Sequence, residues 1–182
     1  MISMTFEINE STISKNAEPY IIAEAGINHN GSMQTAKELI DVAKESGADA
    51  IKFQKRELDE TYVEEVIDDP AIAEMGVEYT VSNLKEVVLS NEQFRELAEY
   101  SRSKGIDFLC SPWDKASVDF LEKIDMPIYK IGSPDMTNFI LVEKIIETGK
   151  PIIISTGMSE EEEIDRTVEF LKENNADFAV LH

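Results

Sequence analysis

At 182 residues, 42% hydrophobic and 30% charged, the chain is long and apolar enough for one domain with a real core. Its 37 acidic against 17 basic residues give a formal charge of −20, a field that repels phosphate backbones and excludes nucleic acid as an expected partner. No apolar run reaches the ~18 residues of a membrane span, the N-terminus lacks the regions of a secretory signal, and the single cysteine, Cys110, forms no internal disulfide, so a cytoplasmic location is expected.

Residues 1–18 are polar and irregular and read as an N-terminal arm or short hairpin; residues 19–182 read as one domain. Short β-branched, apolar runs follow at Tyr20–Ala25, Ala50–Gln54, Asp107–Ser111, Ile128–Gly132, Pro151–Thr156 and Phe178–His182. They are too short for helices and too apolar for half-exposed strands, so they are predicted as buried parallel strands.

Between them lie segments of helical period. Residues 32–46 align Ala36, Leu39, Ile40 and Ala43 on one face and stop at Gly47. Residues 91–104 do the same with Phe94, Leu97 and Ala98, capped by Ser90 or Asn91 and closed by Gly105. Helices are also predicted at Lys115–Ile124, Leu141–Thr148 and Glu160–Asn174. Strict alternation of strand and helix means an α/β fold with a parallel sheet.

The turn after the first strand, INHNG, lacks the glycine pattern of a dinucleotide site. Polar residues instead end nearly every strand, as in a (β/α)8 TIM-barrel type fold, whose chemistry gathers at one face. About six strands are present, fewer than a barrel needs, so the closing strands are expected to be missing. Open sheet edges make a homo-oligomer the expectation. The stretch from Lys55 to Leu89 is too long for an ordinary βα loop and carries weak helical pieces at Glu57–Val66 and Ser82–Leu89. It reads either as a lid over the barrel mouth or as a surface insertion.

The candidate chemistry sits at strand ends. Lys52 and Lys130 are each flanked by apolar residues, and an unpaired ammonium is too costly to bury in a core. Each either meets an anion at the mouth or pairs internally with Glu24 or Asp135. Ser111 before Pro112, Ser133 after Gly132, and Ser155-Thr156 before Gly157 combine hydroxyls with backbone donors, which suits phosphate oxygens. Lysines and hydroxyls together describe an anion-binding floor. Glu24 closes the hydrophobic strand IIAEAG, where partial desolvation would raise its pKa for proton transfer; a salt bridge to Lys52 is the alternative. His29 reads as a capping residue, with ligand or base as the lesser alternative. No metal-spaced cluster of His, Cys and carboxylates is evident.

The runs IIAEAGINHNG, AIKFQK, FLCSPWD, YKIGS and IISTGMS stand in the order and rough spacing of the sialic acid synthases, and the chain resembles that family from about residue 19 to 182. The resemblance implies condensation of phosphoenolpyruvate with N-acetylmannosamine, its 6-phosphate or a related acylamino sugar, releasing phosphate and forming a nonulosonic acid. It implies Glu24 as the catalytic residue, Lys52, Ser111, Lys130, Ser133 and Ser155 as phosphoenolpyruvate contacts, and Gln54 beside the amino sugar. It also implies a divalent metal, manganese or magnesium, held by histidines beyond this chain, and a homodimer whose small C-terminal antifreeze-like domain is likewise missing here. Pro134 and Trp113 depart from the pattern, and Lys55 with Glu57 resembles the branch that makes N-acetylneuraminate or its 9-phosphate. Two other readings stay open: a Schiff-base aldolase using Lys130, and an incomplete half-barrel that acts as an assembly module.

Overall fold

The computed structural model describes residues 5–72 and 77–182. All six expected strands form, as β3 (Ile22–Gly26), β4 (Ala50–Lys55), β5 (Asp107–Pro112), β6 (Tyr129–Ile131), β7 (Ile152–Ser155) and β8 (Phe178–Leu181). Every hydrogen-bonded pair among them is parallel, in the orders β3-β4-β5 and β6-β7-β8. β5 lies against β6, so the six make one arc in chain order. This is the arc of a (β/α) barrel, with strand ends of one polarity on one face. No helix among the described residues is long and apolar enough to cross a membrane.

Strand alternation divides the residues by face. On one side, register aligns Glu24 with Lys52 and Leu109, and Gln54 with Ser111. On the other, Ile51, Phe53, Cys110 and Tyr129 are buried against the helices. Phe53 stacks on Phe108 with centroids 5.6 Å apart. That layer is the core.

The helices start and stop where local chemistry dictates. In α1 (Met33–Glu45), the Ser32 hydroxyl accepts the Thr35 N–H; in α5 (Asn91–Lys104), Ser90 and Gln93 form a capping box and Gly105 ends the helix at φ 68°. Asp114 caps α6 (Lys115–Glu122), its carboxylate accepting from the Ser117 N–H at 2.6 Å. Asn138 caps α7 (Phe139–Ile146), and α8 (Glu161–Glu173) opens with three glutamates, favourable at a helix N-terminus.

Within the long 55–89 connection the Glu57–Val66 piece is two short helices, α2 (Leu58–Thr61) and α3 (Glu64–Asp68), because Tyr62 and Val63 between them are extended. The second piece is longer than the sequence suggests, α4 (Val77–Val87).

The N-terminal residues form the expected hairpin, β1 (Phe6–Ile8) with β2 (Ser11–Ile13). Phe6 and Ile8 are buried, and Asn9 donates to Asp107 Oδ1 at 2.7 Å, so the hairpin closes the end of the arc opposite the mouth. There the Tyr20 hydroxyl donates to Asp107 Oδ2 at 2.5 Å. Burial, and then that carboxylate, push the Tyr20 pKa upward. Tyr20→Phe is expected to cost about 1.5 kcal/mol, the usual worth of a hydrogen bond to a charged group. A lowered urea midpoint at unchanged slope would register it.

Candidate active site

The mouth is assembled from the C-terminal ends of five successive strands. Lys52 Nζ lies 2.6 Å from Glu24 Oε2 and donates to Ser111 Oγ at 3.1 Å, linking β3, β4 and β5. On the next two strands, Lys130 Nζ donates to Ser155 Oγ and to the Ile131 carbonyl, both at 2.7 Å. Lys130 has no carboxylate partner among the described residues. Burial pushes its pKa down to about 8, and the nearby Lys52 ammonium adds to that, with Glu24 opposing. A second ammonium within reach of the first is unfavourable unless an anion sits between them. Ser133 opens the 3-10 turn after β6, and its Oγ faces Gly157 at the end of β7, 3.9 Å from where a Cβ would stand.

The internal-pair reading therefore applies to Lys52 and not to Lys130. The expected desolvation of Glu24 is a correction: its side chain is 52% exposed, because β3 is the outer strand of the arc. Its Oε2 is held by Lys52, and its Oε1 points at Gly26, 3.3 Å from the Cβ position there. Gln54 Nε2 lies 3.4 Å from the same point. Gly26, at φ +55°, leaves between a carboxylate oxygen and an amide nitrogen a space that a side chain would fill.

His29 is 1% exposed, and its Nδ1 accepts the Gly31 N–H at 3.1 Å. Burial lowers its pKa, so it serves the β3–α1 turn as a neutral ring. Among the described residues no group of three or more His, Cys, Asp or Glu could hold a metal ion. The donors among the described residues do not fit a divalent metal.

Several mouth residues were not singled out for function in the sequence. Arg56 is 7% exposed, donates to Gln54 Oε1 at 3.2 Å and lies over the Trp113 ring at 4.0 Å. Asp135, whose Oδ2 is buried without a hydrogen bond, is pushed up by burial, with Arg56 opposing. Asp114, besides capping α6, accepts the Glu57 N–H at 2.8 Å and pins the start of the 55–89 connection. The signal available was parity: Lys52, Gln54 and Arg56 are alternate residues and continue one face of β4 past its end.

The connection returns over the Gln54 side of the mouth. A Cβ on Gly31 would meet the Glu86 carbonyl at 2.7 Å, so α4 rests directly on the β3–α1 turn. A small cavity remains between them, lined by Ile27, His29, Gln54 and Arg56 below and by Leu84 and Val87 above. The lid expectation agrees with this placement.

A six-strand parallel arc with two lysines, a carboxylate and hydroxyls on its C-terminal ends defines a (β/α)-barrel domain of the sialic acid synthase type. The chain belongs to the NeuB family, whose pattern matches residues 39–182. It is 36% identical over 163 residues to human N-acetylneuraminate-9-phosphate synthase, covering 89% of this chain and 45% of that protein. It is 39% identical over 158 residues to the N,N'-diacetyllegionaminic acid synthase of Legionella pneumophila, covering 84% and 44%. The crystal structure of N-acetylneuraminic acid (sialic acid) synthetase from Leptospira borgpetersenii, in complex with citrate, superposes with a TM-score of 0.87 at 31% identity, covering 99% of this chain and 59% of that one. The chain spans about half the length of the curated relatives it matches.

Proposed function

We propose that the chain carries the phosphoenolpyruvate half of a synthase that condenses phosphoenolpyruvate with N-acetylmannosamine, its 6-phosphate or a related acylamino sugar. The observation that carries this reading is the pair Lys52 on β4 and Lys130 on β6, one strand apart across β5, with Ser111 and Ser155 as their hydroxyl partners. Phosphoenolpyruvate offers two anionic groups, a phosphate and a carboxylate, and the two ammonium groups answer them. Ser133 and the turn at Gly157 add a hydroxyl and backbone donors beside them.

In the reaction, C3 of phosphoenolpyruvate forms a bond to the sugar aldehyde carbon, and the aldehyde oxygen takes a proton to become a hydroxyl. Water adds at C2, losing a proton, and the tetrahedral centre then breaks its C–O bond to phosphate as the C2 hydroxyl passes its proton to the departing phosphate, leaving a ketone and free phosphate. Glu24 is the group to exchange the proton of the added water, with Lys52 holding its other oxygen in place. Gln54 faces the sugar. In its relatives' manner the complete enzyme is a transferase of carbohydrate biosynthesis, and a metal, where used, comes with residues outside those described.

Calorimetric titration tests this reading directly. Phosphoenolpyruvate is expected to bind the chain without added manganese, and saturating pyruvate is expected to compete poorly because it lacks the phosphate. Absence of binding at millimolar phosphoenolpyruvate overturns the proposal. One observation favours a second reading: with its pKa near 8, Lys130 is a usable amine at neutral pH, as a Schiff-base aldolase requires. Borohydride trapping of pyruvate on Lys130, seen as a mass increase, would support that reading against the first, whose mechanism forms no imine.

A further inference from the structure

Gln54 can serve an amino sugar with either end of its carboxamide, and the end it shows decides which ligand atoms it accepts. A guanidinium has only N–H donors, so the Gln54 atom 3.2 Å from Arg56 must be the carbonyl oxygen. The NH2 then faces the opening at Gly26, beside Glu24 Oε1. Arg56 is itself held firmly. It is 7% exposed and lies over the Trp113 ring at 4.0 Å, with Tyr62 and the charges of Asp135 and Asp114 near it. Tyr62 stands at the extended break between α2 and α3, so the covering connection brings a residue close to this arginine.

We propose that Arg56 is a positioning residue that fixes the polarity of the Gln54 carboxamide, so that the mouth presents an N–H donor beside the Glu24 acceptor and selects a ligand offering an acceptor atom there. This rests on the acylamino-sugar reading for the ligand class, in which the acyl carbonyl or a hydroxyl oxygen supplies that acceptor. The orientation itself depends only on the arginine.

The test uses the full chain with Arg56→Met, Arg56→Lys, Gln54→Glu and Gln54→Leu. The sequence has three glutamines, Gln34, Gln54 and Gln93, so the Gln54 side-chain NH2 signals in a 15N spectrum are assigned by their loss in Gln54→Leu. Arg56→Met is expected to shift or collapse that pair, and Arg56→Lys, still a pure donor, to preserve it. With phosphoenolpyruvate saturating, the affinity for N-acetylmannosamine is expected to fall about tenfold in Arg56→Met and to stay within about twofold in Arg56→Lys. Gln54→Glu keeps the arginine pair but lacks the donor, and is expected to lose the sugar as Arg56→Met does. It also serves if Arg56→Met fails to fold. In a Gln54→Leu background Arg56→Met should add no further loss, which a merely structural arginine would not obey. Unchanged Gln54 NH2 signals in Arg56→Met overturn the proposal, as do additive sugar losses or a wild-type chain that binds phosphoenolpyruvate but no sugar. A wild-type chain that binds no phosphoenolpyruvate overturns the functional reading instead, and the NMR comparison still decides the role of Arg56.

Discussion

Lys130→Met is expected to weaken phosphoenolpyruvate binding by about one to two orders of magnitude while leaving the fold as stable as before or more so. The affinity loss follows from deleting a charge-assisted hydrogen bond, worth about 1.5–3 kcal/mol. The stability follows from the state of the free protein: Lys130 is half-buried and close to Lys52, which is why its pKa is pushed down to about 8 against the opposing charge of Glu24, and it has no carboxylate partner among the described residues. A lysine lowered by folding is a burden while it is charged. That burden is present in full below pH 8 and disappears as pH rises from about 8 toward the ordinary lysine value of 10.5, where the unfolded chain also loses its proton. The wild type should therefore gain stability relative to Lys130→Met across that interval. Over the same interval it should lose affinity for phosphoenolpyruvate, since the ammonium that meets the anion is titrated away. Binding and unfolding measured from pH 7 to 10 on both proteins check the two signs. Equal affinity of the variant and the wild type, or a wild-type affinity flat with pH, would sink the role assigned to Lys130.

The second large effect lies behind the mouth. Lys55 alternates with Lys52 and Gln54 onto the opposite face of β4, and there it is 2% exposed. Its ammonium is paired with Glu57 and lies 5.6 Å from the Phe94 ring and 5.5 Å from the Phe120 ring. Glu57→Ala removes the paired charge and leaves a buried ammonium with aromatic faces alone, an expected loss of about 3 kcal/mol. Lys55→Met fills the same space without charge and is expected to be neutral or mildly stabilising, and the double variant should sit near the wild type. Urea unfolding of the three variants checks this cycle; a Glu57→Ala cost below about 1 kcal/mol would mean that the rings and water suffice for the charge. The same geometry gives Lys55 and Glu57 a structural role at the seam between β4 and the helices.

Much of the molecule is legible in its sequence. The strands could be found because buried parallel strands are continuous apolar runs between periodic helices, and that pattern is local. Gly47, Ser90 and Gly105 marked helix ends because capping is a matter of a few adjacent residues. The candidate anion residues were also readable, since Lys52, Ser111, Lys130 and Ser155 break otherwise apolar strand ends. Strand parity then places Lys52, Gln54 and Arg56 on one side and Lys55 on the other.

What the sequence could not decide are relations between residues far apart along the chain. Lys52 meeting Glu24, and Lys130 meeting Ser155 instead of a carboxylate, depend on register between separate strands. Glu24 looked desolvated because its neighbours are apolar, yet it is half exposed because exposure is set by the strand's place at the border of the arc. The role of Arg56 required Trp113, Asp135 and Tyr62 to arrive from three other segments. Composition and period determine which segments become strands and helices, because those forces act within a few residues; pairing and burial of charge depend on packing among segments, and only the tertiary structure decides them.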